Sequence, residues 1–81
     1  MKTNKRDKEG NREGLWESYY QGGILRTRGY YKNNIADGYW EYYFTDGRIM
    51  DKGNYKNGIS HGYWEQYDTK GKVIGIKYYY I

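Results

Sequence analysis

Apolar and polar positions alternate within short runs of this chain, and the runs recur at a step of 24 residues. Gly14-Leu15-Trp16-Glu17, Gly38-Tyr39-Trp40-Glu41 and Gly62-Tyr63-Trp64-Glu65 are three copies of one motif, and they hold all three tryptophans. Tyr19, Tyr43 and Tyr67 keep the same step, as do Tyr31, Tyr55 and Tyr79, and Gly23, Gly47 and Gly71. A fixed period of this size marks a repeat architecture. Period-two alternation marks strands rather than helices. Each copy therefore predicts two strands. In the middle copy they are Gly38 to Thr45 and Arg48 to Lys56, parted by Asp46-Gly47, a strong hairpin signal. Gly22-Gly23 and Lys70-Gly71 hold that place in the other copies, and Asn33-Asn34 and Asn57-Gly58 mark turns between copies, with Glu9-Gly10 as a third candidate.

A two-residue turn at Asp46-Gly47 pairs Phe44 with Ile49, Glu41 with Lys52 and Trp40 with Gly53. The same turn at Gly22-Gly23 pairs Tyr20 with Leu25, Glu17 with Arg28 and Trp16 with Gly29. Opposite charges across a ladder stabilise it, and a ring over a bare glycine shields backbone that lacks a side chain. On this reading Trp16 and Trp40 cover Gly29 and Gly53 of their own hairpins, and Trp64 belongs to the same structural set. The third copy breaks the pattern, pairing Glu65 with Ile76 and Trp64 with Lys77 before a last strand that ends in Tyr78-Tyr79-Tyr80-Ile81. A divergent last unit suits the end of a repeat array.

Alternation then sorts the two faces. The Trp face collects Trp16, Tyr20, Leu25, Tyr31, Trp40, Tyr42, Phe44, Ile49, Tyr55, Trp64, Val73 and Tyr79. The opposite, Tyr face collects Leu15, Tyr19, Tyr30, Tyr39, Tyr43, Met50, Tyr63, Tyr67, Ile74 and Tyr78 with the acid–base pairs. No helix is predicted to cover either face. The Trp face calls for cover by coiling of the sheet or by a second copy of the chain, with a homodimer preferred.

Composition narrows the picture. Eighty-one residues make one small domain, which buries only roughly 60–65% of its unfolded surface. No cysteine is present to supply a disulfide or a thiolate metal site. The apolar stretches are too short for a membrane span or a signal-peptide core, so a cytoplasmic protein is expected. Net charge is +4. Residues 1–13 lack aromatic residues and read as a flexible charged leader or a weak edge strand, leaving 14–81 as the repeat domain.

Gly38 to Gly47, followed by Gly53-Asn54-Tyr55-Lys56-Asn57-Gly58 and Gly62-Tyr63-Trp64-Glu65, resembles tandem MORN repeats. The match is closest to the bacterial variant type often described as an antitoxin component. The resemblance covers residues 14–72 well. It implies an all-β fold, a single-layer twisted antiparallel sheet formed as a meander of hairpins from three 24-residue units. It also implies a scaffold for protein contacts, with phospholipid headgroups as another proposed target. Lys77, where a glycine is expected, and the charged leader depart from the family pattern and argue against a longer array.

No catalytic constellation is legible, and no cofactor or metal is called for. The one histidine, His61, sits just before Gly62 in an inter-copy turn and reads as a turn residue making a local hydrogen bond. Glu17, Glu41 and Glu65 lie one repeat apart, roughly 9–10 Å across two strand spacings, and read as a structural ladder rather than a metal set. No helix follows the glycine pairs to receive a phosphate. A non-enzyme is expected, leaving binding. Tyrosine and arginine concentrate interface energy, so Tyr19, Tyr43 and Tyr67, with Tyr30, Tyr39, Tyr63, Arg26 and Arg28 beside them, are the candidate partner-binding residues. With no room for an effector domain, occlusion of a protein partner such as a toxin or nuclease is the simplest act. Single-stranded nucleic acid on the tyrosine face is a weaker expectation, given the low charge and the glutamates there. Headgroup binding through the leader is weaker again, since its three acids offset its five bases.

Overall fold

A computed structural model describes residues 3–80, so Met1 and Lys2 of the leader and Ile81 of the last predicted strand lie outside the described residues. Seven strands follow in chain order: β1 (Lys5–Arg6), β2 (Arg12–Tyr19), β3 (Leu25–Lys32), β4 (Ile35–Tyr43), β5 (Ile49–Lys56), β6 (Ile59–Tyr67) and β7 (Val73–Tyr79). They form one antiparallel sheet with neighbours in sequence order. The fold is an all-β meander of hairpins in a single open sheet. Its extents are 41 × 38 × 18 Å. Among the described residues, no helix is long and apolar enough to cross a membrane. Within the segment 1–13, Lys5 and Arg6 pair with Glu13 and Arg12.

The predicted ladders hold over most of their length. Glu17 stands opposite Arg28 and Trp16 opposite Gly29, while Glu41 stands opposite Lys52 and Trp40 opposite Gly53. Trp64 stands opposite Lys77, and Glu65 opposite Ile76.

Near the tips the register departs from the two-residue turn. The loops comprise three residues, 21–23, 45–47 and 69–71, closed by hydrogen bonds from Tyr20, Phe44 and Asp68 N–H to the carbonyls of Ile24, Arg48 and Lys72. The last loop residue in each is a glycine at φ 92°, 90° or 88°, and it donates back to the residue that opens the loop. A bulge follows in each hairpin. The loop is the three-residue hairpin closed by a glycine with positive φ, and the bulge beyond it leaves Arg26, Met50 and Ile74 as the extra residues. The bulge moves Leu25, Ile49 and Val73 opposite Tyr19, Tyr43 and Tyr67. They therefore stand on the Tyr face, not on the Trp face with Tyr20 and Phe44 as the unbulged register required.

The turns between copies are true two-residue turns. Asn33 and Asn34 adopt φ of 50° and 68°, and Asn57 and Gly58 adopt 52° and 82°, as the mirror-image turn demands. Glu9-Gly10 differs, because Asp7 N–H bonds to Asn11 O and Gly10 N–H to Asp7 O in the three-residue form. The motif glycines also carry a bulge. Tyr31 stands opposite Ala36 and Gly29 opposite Trp40, so Tyr30 faces residues 37–39, with Gly38 at φ 115°. Bulges of this kind bend and twist the sheet.

The core lies mainly on the Trp face, with Leu15 buried on the Tyr face. Trp40 and Trp64 are only 5% and 8% exposed. Tryptophan and tyrosine columns interleave edge-to-face across the strands. Tyr31 lies 5.1 Å from Trp40, which lies 5.9 Å from Tyr55, which in turn lies 5.1 Å from Trp64. Such pairs contribute about 0.5–1.5 kcal/mol each beyond area burial, a large share for a fold with one layer. The rings do not cover the glycines of their own hairpins. A Cβ placed on Gly29 would collide with Trp40, and one on Gly53 with Trp64, both far inside the 3.0 Å that real Cβ contacts respect. Each glycine is thus covered by the tryptophan of the following copy. That ring is anchored by its indole N–H on Tyr30 O at 3.0 Å or Asn54 O at 2.9 Å. Trp16, with no earlier repeat beside it, donates instead to Lys5 O at 2.9 Å and lies under the Arg6 guanidinium at 4.9 Å.

Candidate functional site

Residues two apart on a strand share a face, which lets each motif glutamate meet the phenols on either side of it. The Glu41 carboxylate accepts from Tyr39 at 3.0 Å and from Tyr43. Glu65 accepts from Tyr63 at 2.7 Å and from Tyr67. Glu17 accepts from Tyr19 at 2.8 Å; Leu15 replaces the second phenol and is buried. Basic side chains tie the rows together, with Arg28 3.3 Å from Glu17 and Lys52 3.6 Å from Glu65. Lys52 therefore bridges to the following copy rather than to Glu41 in its own hairpin, since its Cα stands opposite both acids.

These contacts set the protonation states. Hydrogen bonds from Tyr67 and Tyr63 hold the Glu65 carboxyl below its ordinary range. The bond to Glu65, with some desolvation, pushes Tyr63 up to about 12. Desolvation first, then the bond to Glu41, pushes Tyr39 and Tyr43 up to about 12. Tyr19 and Tyr67 are raised chiefly by their glutamate bonds, and Lys52 is raised chiefly by its bond to Tyr67. At neutral pH the phenols are neutral donors already engaged by carboxylates, so the face offers fixed ring surfaces to a partner. Tyr19, Tyr30, Tyr39 and Tyr63 are exposed. Tyr43 and Tyr67 are half-buried.

Of the predicted binding residues, the structure gathers Tyr19, Tyr39, Tyr43, Tyr63, Tyr67 and Arg28 into this lattice, and Tyr30 lies beside Gly38 and Tyr39. Arg26 does not join them. It is the extra residue of the β2–β3 bulge, between the Ser18–Thr27 and Tyr19–Leu25 pairs. Its Nε donates to Ser18 Oγ at 3.4 Å, and its guanidinium lies 6.0 Å from the Tyr20 ring. It therefore lines the opposite, Trp face.

That face holds a groove of about 630 Å³ lined by Arg12, Trp16, Arg26, Tyr31, Trp40 and Tyr55, among others. Arg12 is fixed there by hydrogen bonds from Nη1 to Tyr31 Oη at 2.9 Å and from Nε to Asn34 Oδ1 at 2.6 Å. Sequence reasoning missed Arg12 by placing it in the leader. The available signal was its place on the 24-residue step, two residues before the motif glycine, where Ala36 and Ser60 stand in later copies.

His61 lies within β6 opposite Asn54, not in a turn, and its buried Nδ1 has no hydrogen-bond partner among the described residues. Among these residues no group of three or more His, Cys, Asp or Glu is placed to hold a metal ion.

A family profile described as MORN repeat variant matches residues 12–33 and 36–57, more than half of the chain. No curated protein and no solved structure matches it.

Proposed function

The chain belongs to the MORN repeat variant family, and from that membership we propose that it is a non-catalytic module that binds a protein partner and acts by occluding it. MORN repeats are generally binding modules. The finer role proposed here is antitoxin-like, or that of a phage- or mobile-element-encoded inhibitor of a nuclease or defence enzyme. One observation carries the reading: the Tyr face presents rings whose hydroxyls are already held by Glu17, Glu41 and Glu65. Rings fixed in advance lose little conformational entropy on binding, and tyrosine is a preferred interface anchor.

The test is affinity capture with mass spectrometry, followed by binding and activity assays on the captured protein. The wild-type chain is expected to retain one partner in stoichiometric amount and to suppress its activity. Tyr39→Ala and Tyr63→Ala are expected to weaken that binding by about 2 kcal/mol or more each, the cost of losing an interface anchor. Absence of a stoichiometric partner, or unchanged affinity in both variants, overturns the proposal.

A further inference from the structure

The open edge of β7 departs from the repeat in two columns at once. Across the Tyr face, Glu17, Arg28, Glu41, Lys52 and Glu65 stand opposite one another in turn from β2 to β6. The next rung of that ladder is Ile76. Across the Trp face tryptophans alternate with the glycines they cover, ending at Trp64 over Gly53, and the next rung is Lys77. At β7, then, the charged column turns apolar and the glycine column turns cationic. Ile76 and Tyr78 are 52% and 59% exposed, and Lys77 has no ion-pair partner among the described residues. From Thr69 to Tyr80 the chain carries Lys70, Lys72 and Lys77 and no acid.

We propose that this edge takes up a further strand from a protein partner, an extended segment with apolar residues set against Ile76 and Tyr78 and a carboxylate against Lys77. The proposal rests on the protein-binding reading above and names a second contact surface and its chemistry. An unpaired strand edge offers a row of backbone donors and acceptors to an extended segment, and side chains directly opposite then decide which segment fits. The edge at β1 cannot serve this way, being two residues long and wholly charged. A further unit of the same repeat would match neither column, since its tryptophan would find Lys77 where Trp40 and Trp64 find Gly29 and Gly53, and its glutamate would find Ile76 where Glu41 and Glu65 find Arg28 and Lys52. A second copy of β7 is apolar enough but brings no carboxylate to Lys77. An acidic, apolar-alternating strand satisfies both columns.

The probes are a nine-residue peptide alternating valine and glutamate, and its valine–lysine counterpart, titrated into the ¹⁵N-labelled full chain. The valine–glutamate peptide is expected to shift amide signals along β7 and to slow their hydrogen exchange. Lys77→Glu, with its other amide signals unchanged, is expected to weaken that peptide roughly threefold to tenfold and to reverse the preference between the two peptides. Lys77→Gln is expected to fall between. Equal affinity for both peptides, shifts confined to the Tyr face or the Trp groove, or self-association through β7 that the peptide cannot compete with, overturns the proposal. Partner capture that survives Lys77→Glu but is lost in Tyr39→Ala also overturns it, leaving the Tyr-face reading intact. Peptide binding at β7 with no protein captured by the wild-type chain overturns the functional reading instead and supports the edge specificity.

Discussion

Gly53→Ala tests how this sheet builds a core without a second layer. Gly53 lacks the positive φ that would strain an alanine, so the substitution by itself should stabilise the strand by about 0.4–1 kcal/mol through the unfolded chain. The added methyl, however, would occupy the place of the Trp64 ring. Because the obstacle is a large ring next to backbone, the ring must lift off. Shedding half of the ~200 Å² that a buried tryptophan covers costs about 2.5 kcal/mol. Losing the 2.9 Å bond from the indole to Asn54 O adds about 1 kcal/mol. Weakened edge-to-face contacts with Tyr55 and Tyr79 offset the gain from the unfolded chain. The net expectation is a loss of about 3 kcal/mol, or a fall in Tm of roughly 12–24 °C for a domain of this size.

The assay is thermal and urea unfolding followed by circular dichroism and tryptophan fluorescence. Gly75→Ala is the control, since its methyl would meet only the flexible Gln66 side chain, its Oε1 at 2.8 Å, and should change stability by no more than ~1 kcal/mol, in the stabilising direction. A double-mutant cycle identifies the ring. In a Trp64→Leu background Gly53→Ala should cost under ~1 kcal/mol, whereas in a Trp40→Leu background its full cost should persist. A Gly53→Ala protein as stable as the wild type, or one rescued through Trp40, refutes the assignment of each ring to the preceding copy's glycine.

Two further outcomes follow from the faces. Tyr39, Tyr43 and Tyr63 ionise at about 12 when folded, against 10.0 for a free phenol; the unfolded chain therefore releases these protons first. Their stabilisation is fully present below pH 10 and should drain away between about 10 and 12. Tyrosinate absorbance and circular dichroism should change together in that window; phenols titrating near 10 with the sheet intact contradict the hydrogen-bonded lattice. Arg6→Ala removes the guanidinium that lies 4.9 Å from the Trp16 ring and should cost about 0.5–1 kcal/mol. In a chain whose only tryptophan is Trp16, the emission should shift to the red; an unmoved spectrum with unchanged stability means that β1 does not cap the sheet.

Much of the Tyr face is legible in the amino-acid sequence. Glu41 with Tyr39 and Tyr43, and Glu65 with Tyr63 and Tyr67, sit two residues apart, and strand alternation is enough to bring them together. Alternation misplaces Arg26 and Leu25 because it counts straight through a bulge, and one extra residue reverses the faces between it and the hairpin tip. The Arg12 groove is hidden for another reason. Its walls come from β2 to β5 and the turn after β5; alternation puts Trp16, Tyr31, Trp40, Tyr42 and Tyr55 on one face, but only the folded sheet brings Arg12 and Arg26 beside them.

The sequence by itself determined the 24-residue unit, the strands, the turn positions, the pairings that set Trp16 opposite Gly29 and Glu41 opposite Lys52, and the break at Lys77. These follow from side-chain periodicity and turn chemistry, which act over a few residues and are written locally. Tertiary structure alone decided which of two flanking neighbours Gly53 and Lys52 use. Gly53 lies between Trp40 on one side and Trp64 on the other, and Lys52 lies between Glu41 and Glu65. An inner strand of an antiparallel sheet has two partners, and only side-chain direction in the bent, bulged sheet separates them. The choice falls on the following copy in both cases. Arg28, which stands between Glu17 and Glu41, pairs instead with Glu17 of its own hairpin, so contacts within and between units together hold the array as one domain.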